Sequence, residues 1–81
     1  MWTIGGLLME EIIVYSLPNC GGCELVKGWL KQNGKEFKEI NVKKDIEALR
    51  YVKSKGFESY PVIEKGDFIF LGYDEEKLNQ L

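Results

Sequence analysis

The chain contains no histidine. That absence removes Ser–His and Cys–His catalysis, histidine general-base chemistry and every zinc site with a histidine ligand. Arginine is nearly absent as well. Arg50 is the only one, and thirteen acidic residues outnumber eleven basic ones for a net charge of −2. A nucleic-acid surface needs clustered cations for the phosphate backbone, so this balance argues against one. Long apolar runs are also missing, and a membrane-spanning helix takes about 20 such residues. At 81 residues the chain has room for one small domain. A domain of that size buries only about 60–65% of the surface its unfolded chain exposes, so most apolar residues are needed for the core. Hydrophobic residues at 44% and charged ones at 30% are ordinary for a soluble globular protein. The distinctive chemistry must come from the two cysteines.

Residues Met1 to Met9 read MWTIGGLLM, apolar and uncharged. A secretory signal needs a basic start and a small-residue cleavage site, and neither is convincing here. The segment reads as an upstream start or as an apolar extension lying on the domain. Residues 1–10 are therefore expected to be an N-terminal extension and residues 11–81 the domain. Ile12-Ile13-Val14-Tyr15 is continuously β-branched and aromatic, as in a strand covered on both faces. Ser16 to Gly22 is a loop. Leu25, Val26, Trp29 and Leu30 recur at helical spacing, and Gly34 is placed to end that helix. Phe37 to Val42 is a second strand near an edge, since charges interrupt it. Asp45 and Glu47 open a second helix with Ile46, Leu49 and Val52 inward, Lys53 and Lys55 near its end and Gly56 as its stop. Tyr60 to Ile63 and Phe68 to Leu71 read as a hairpin turning at Lys65-Gly66. Asp74 caps a last helix over Glu75 to Leu81, with Leu78 and Leu81 inward. The order is β-α-β-α-β-β-α.

Cys20-Gly21-Gly22-Cys23 lies between the first strand and the first helix. At a helix start the Cys20 sulfur faces unpaired N–H groups and the positive end of the helix dipole. Such surroundings favour thiolate over thiol, and the thiolate is the form that attacks disulfides. Cys23 lies one turn deeper on the same face and is more shielded. One sulfur is thus placed to attack and the other to resolve. Two bland readings stand beside this one: buried inert thiols, or a stabilising disulfide. So short a loop gains only about 2 kcal/mol from a bridge, and staples belong to secreted chains. A zinc site would need two more Cys or His ligands. A c-type haem site would need histidine where this chain has Glu24.

Y15-S-L-P-N-C20-G-G-C23 after an apolar strand resembles the active-site strand and loop of glutaredoxins. S59-Y60-P61-V62-I63 resembles their segment with a cis proline, and G72-Y73-D74 resembles their C-terminal glycine turn. G56-F57 before the proline and L71-G72-Y73 after the hairpin resemble the glutaredoxin-like redoxins of the NrdH type, which feed ribonucleotide reductase. The resemblance covers Glu11 to Leu81. It implies a thioredoxin fold, glutaredoxin-like: an α/β domain with a four-stranded mixed sheet in the order 2-1-3-4 and three helices. It implies a cis bond at Pro61, with Tyr60 and Pro61 beside Cys20 positioning a partner chain as an added strand. Gly72, Tyr73 and Asp74 would form the facing wall. Tyr15 and Trp29 belong to the core rather than the site.

The expected function is a thiol–disulfide oxidoreductase in which Cys20 attacks and Cys23 resolves, with a disulfide-bearing protein as substrate, ribonucleotide reductase among the candidates. No bound cofactor and no metal are expected. Electrons would come from thioredoxin reductase and NADPH, or from glutathione. Many glutathione-dependent relatives carry an aromatic between the cysteines and a basic residue shortly before them. Here both intervening residues are glycine, Leu17-Pro18-Asn19 precedes Cys20, and only Lys27, Lys43 and Lys44 are near enough to reach the rim. The alternatives are a glutathione-dependent glutaredoxin and an iron–sulfur or soft-metal module in which two protomers share their C-x-x-C pairs. A cytoplasmic monomer with no nucleic-acid or membrane partner is the expected setting.

Overall fold

The computed structural model describes residues 10–81. The extension expected over residues 1–10 lies outside them, Glu10 excepted. Seven elements follow: β1 (Ile12–Ser16), α1 (Gly21–Gln32), β2 (Phe37–Asn41), α2 (Ile46–Ser54), β3 (Val62–Lys65), β4 (Phe68–Leu71) and α3 (Glu75–Leu78). The order is the one read from the sequence. One four-stranded sheet runs β2-β1-β3-β4. β1 is parallel to β2 and antiparallel to β3, and β3 is antiparallel to β4. This is the strand order and mixed sheet that the thioredoxin fold requires.

β1 explains why its sequence does not alternate. Ile12 and Val14 face one cluster with Val26 and Leu30 of α1, Ile63, Phe70, Leu78 and Leu81. Tyr15 faces the other cluster, with Val42, Ala48 and Val52 of α2, and Val62. With helices over both faces, every β1 position meets apolar neighbours. Fully buried side chains such as Leu30 and Ile63 each contribute about 1.5–3 kcal/mol by leaving water. Tyr15 and Tyr51 also converge on one carboxylate. Tyr15 Oη donates to Glu64 Oε1 at 2.8 Å, and Tyr51 Oη donates to Glu64 Oε2. That pairing ties α2 to β1 and β3, and burial, ahead of the Glu64 bond, pushes the Tyr15 phenol well above its ordinary pKa.

Several local expectations shift. Leu25 is 59% exposed and Ile46 57% exposed, so neither belongs to its helix's inner face. Cys23, Val26 and Leu30 form the buried stripe of α1, and Ala48 and Val52 that of α2. β3 begins at Val62, not Tyr60, because Pro61 has no N–H to give a ladder. The hairpin turns at Gly66-Asp67, with Lys65 already paired to Phe68 and Gly66 at φ +60°. α3 stops at Leu78, although Leu78 and Leu81 are both buried as expected. Among the described residues, no helix is long and apolar enough to cross a membrane.

Candidate active site

β1 ends at Ser16, and the loop Leu17 to Asn19 carries the chain to the start of α1. Asn19 takes a left-handed backbone at φ 57°, which turns Cys20 into the N-cap position. Cys20 is an unusual cap, since Ser, Thr, Asp and Asn are the common ones. Its sulfur does the same work: the Cys23 N–H donates to Cys20 Sγ at 3.1 Å, while the Glu24 N–H donates to the Cys20 carbonyl at 3.2 Å. The two sulfurs are joined as a disulfide. Cys20 is half-buried and Cys23 is only 1% exposed. The asymmetry expected from the sequence is therefore present.

The other candidate residues take distinct places. The Tyr60–Pro61 peptide bond is cis. Pro61 lies against the first turn of α1, where a Cβ on Gly22 would stand 3.1 Å from Pro61 Cδ. Gly72, at φ +86°, donates its N–H to the Pro61 carbonyl at 2.8 Å, so the glycine turn is fastened to the proline. Tyr73 is 40% exposed, and its hydroxyl donates to Glu75 Oε2 at 2.9 Å. Asp74 caps α3, its Oδ1 accepting the Lys77 N–H at 3.3 Å. The Tyr60 side chain turns into the core. Its ring packs on the Tyr15–Val52 cluster beneath α2, and its hydroxyl is buried with no partner. Tyr15 is core, and Trp29 packs half-buried on the other cluster.

One network was legible only in part. Ser16, 2% exposed at the end of β1, donates to Glu39 Oε2 at 2.8 Å. Lys27 Nζ reaches the same oxygen at 2.9 Å and Glu24 Oε2 at 2.8 Å. Lys27, one turn beyond Cys23, was expected at the rim; it is instead held between two carboxylates. Its pKa is raised, chiefly by Glu24 and then Glu39, and Glu39 is lowered, chiefly by Lys27 and then Ser16. Ser16 gave no signal beyond its position after an apolar strand. A shallow groove of about 210 Å3 runs along α1, lined by Glu24, Leu25, Gly28, Trp29, Gln32 and Tyr73. A larger hollow of about 590 Å3 lies at the opposite end of β1, around Ile12, Phe37 and Leu81, away from the cysteines. Among the described residues, no group of three or more His, Cys, Asp or Glu side chains is placed to hold a metal ion.

The glutaredoxin family model matches residues 12–69, which include both cysteines and Pro61. The chain belongs to the glutaredoxin family. It is 40% identical over 70 residues to the glutaredoxin-like protein NrdH of Lactococcus lactis subsp. cremoris, covering 86% of this chain and 97% of that one. The NrdH-redoxin structure from Escherichia coli superposes with a TM-score of 0.85 at 30% identity, over 88% of this chain and 93% of the other. A glutaredoxin structure from Archaeoglobus fulgidus gives a TM-score of 0.73 at 33% identity, over 100% and 92%. Members of this family are thiol–disulfide oxidoreductases, and this glutaredoxin-like chain, with its Cys20–Cys23 pair on the same fold, is one.

Proposed function

We propose that the chain reduces disulfides in partner proteins, with Cys20 as the attacking sulfur. The observation that carries this reading is the unequal access of the two cysteines at one helix start: Cys20 half-buried in the N-cap position, Cys23 1% exposed behind it. In the dithiol form, the Cys20 thiolate attacks one sulfur of the partner's disulfide. That S–S bond breaks, and the leaving sulfur departs with the electron pair and takes up a proton. A mixed disulfide now joins Cys20 to the partner. Cys23 loses its proton and attacks Cys20 Sγ, releasing the second partner sulfur as a thiol. The partner has gained two electrons and two protons, and the chain is left with the Cys20–Cys23 disulfide. The backbone at Tyr60 and Pro61 lies across from the first turn of α1, where an extended partner chain can pair with it as an added strand.

A protein donor suits this surface better than glutathione. Glutathione carries net negative charge, and holding it takes free cations. Lys27 is already bonded to Glu24 and Glu39, and Glu24, Asp74, Glu75 and Glu76 follow the cysteines and the glycine turn. A protein donor can use apolar area, which Leu25, Trp29 and Tyr73 supply along α1. We therefore assign recycling to a flavin-dependent thioredoxin reductase with NADPH. The E. coli NrdH-redoxin is described as having a thioredoxin-like activity profile, which supports the same choice. The likeness to NrdH proteins makes the disulfide of a ribonucleotide reductase the first substrate to try. A reducing cytoplasm is the matching compartment.

Trapping tests the sulfur assignment. Cys20→Ser is expected to abolish reduction. Cys23→Ser is expected to attack and then stall as a mixed disulfide, which mass spectrometry locates on Cys20. Adducts formed by Cys20→Ser and not by Cys23→Ser would reverse the two roles.

A further inference from the structure

Two glycines separate the cysteines, and their surroundings are unequal. A Cβ on Gly21 meets no atom within 4 Å, whereas one on Gly22 stands 3.1 Å from Pro61 Cδ and 4.0 Å from Pro61 Cγ. Carbon atoms rest at about 3.5–4.0 Å from one another, so a side chain at 22 forces one partner to yield. Pro61 is poorly placed to do so. It is fully buried, and its carbonyl holds the Gly72 N–H at 2.8 Å. The next residue, Val62, is paired with Tyr15 on one side and Leu71 on the other. The first turn of α1 is softer. Gly21 is exposed, and two successive glycines give that turn more backbone freedom than any other pair.

From this asymmetry we infer that Gly22 is a positioning residue: its missing side chain sets the gap between Cys20 and the Pro61 loop that an extended partner chain must span. The inference rests on the reading that a partner pairs with the Tyr60–Pro61 backbone while its sulfur meets Cys20. A side chain at 22 moves the first turn of α1 off Pro61 by a few tenths of an ångström. A partner held at both edges of the gap loses its fit. A small disulfide that touches only Cys20 Sγ does not. Gly21 faces open space and carries no such constraint.

The test compares the full chain with Gly22→Ala and Gly21→Ala. Each is assayed on insulin and on hydroxyethyl disulfide, with a thermal melt of each variant. A 1 Å misplacement costs about a hundredfold in rate, so a shift of about 0.3 Å is expected to lower kcat/KM for insulin about fourfold in Gly22→Ala, with the small-disulfide rate within about twofold. Gly21→Ala is expected to stay within about twofold on both substrates. Equal changes at the two positions, no change at 22, or matched losses on both substrates would overturn the inference. So would a Gly22→Ala chain that fails to fold while Gly21→Ala folds, because the contact is then structural alone. An unaltered chain that reduces hydroxyethyl disulfide but not insulin contradicts the proposed function itself, and the inference with it.

Discussion

Tyr60 precedes the cis proline Pro61 and sends its ring into the cluster beneath α2. Its hydroxyl is buried without a partner, and that burial raises its pKa, so the phenol stays neutral. An unpaired buried hydroxyl costs about 1–3 kcal/mol relative to one that is satisfied. Tyr60→Phe keeps the ring and deletes the orphan oxygen. Its melting temperature is expected to hold or rise, by up to about 1 kcal/mol of stability, with disulfide reduction unchanged. A clear fall in a thermal melt would mean that the hydroxyl is bonded in solution. At this scale the sequence was a good guide where residue type is the chemistry. The Cys20–Cys23 pairing and the cis bond at Pro61 were legible, because few residue types form them. The placement of the Tyr60 ring was not, because its identity does not say to which side of the chain the ring turns. Gly22 was not, because its constraint comes from Pro61, 39 positions away.

The elements are held by small polar devices as well as by the core. α1 is fastened to the sheet where it matters for catalysis, through Lys27 to Glu39 and Ser16, one turn past Cys23. Glu39 lies below its ordinary 4.5, chiefly because of Lys27. A carboxylate lowered on folding stabilises the fold above its unfolded pKa, and that contribution fades as the pH falls through the folded value. Lys27 is raised, so its share is complete below its ordinary 10.5 and fades as the pH rises through the folded value. Glu39 is 40% exposed at the side chain, which keeps the pair salt-screened and worth about 0.2–1 kcal/mol. Glu39→Gln is thus expected to destabilise by that amount at neutral pH, and to match the unaltered chain once the pH has fallen through the lowered Glu39 value. Denaturant melts at the two pH values check it. A constant difference at both would show that shape, not charge, carries the effect. Helix starts were legible here: Asp74 accepts the N–H it was expected to cap, and Asp45, read as opening α2, is its cap as well. The helix faces were less so. Leu25 and Ile46 are apolar but exposed, since a 3.6-residue pattern with extra apolar positions does not say which stripe meets the sheet.

For the molecule as a whole, strand order followed from the resemblance, while sequence pattern alone gave only element type and order. One continuous apolar strand and one interrupted by charges, separated by a helix, do not reveal which edge the hairpin joins. The sheet and helices run from Ile12 to Leu78, Leu81 is buried after them, and the NrdH relative from Lactococcus lactis subsp. cremoris aligns over 70 residues. We expect a chain beginning at Met9 to fold and to reduce disulfides, losing no more than the roughly 1 kcal/mol of a typical surface change. Paired thermal melts and insulin assays decide it, and a much larger loss would make the first eight residues part of the domain.

The chain is proposed as a disulfide reductase recycled by a protein donor. NADPH consumption measures it directly, with the same amount of chain and insulin as acceptor in two coupled assays. One contains thioredoxin reductase, the other glutathione with glutathione reductase. With Lys27 held by Glu24 and Glu39, and with Asp74, Glu75 and Glu76 following the glycine turn, the thioredoxin reductase assay is expected to turn over clearly faster. Faster turnover with glutathione would contradict the account and place the chain with the glutathione-dependent members of its family.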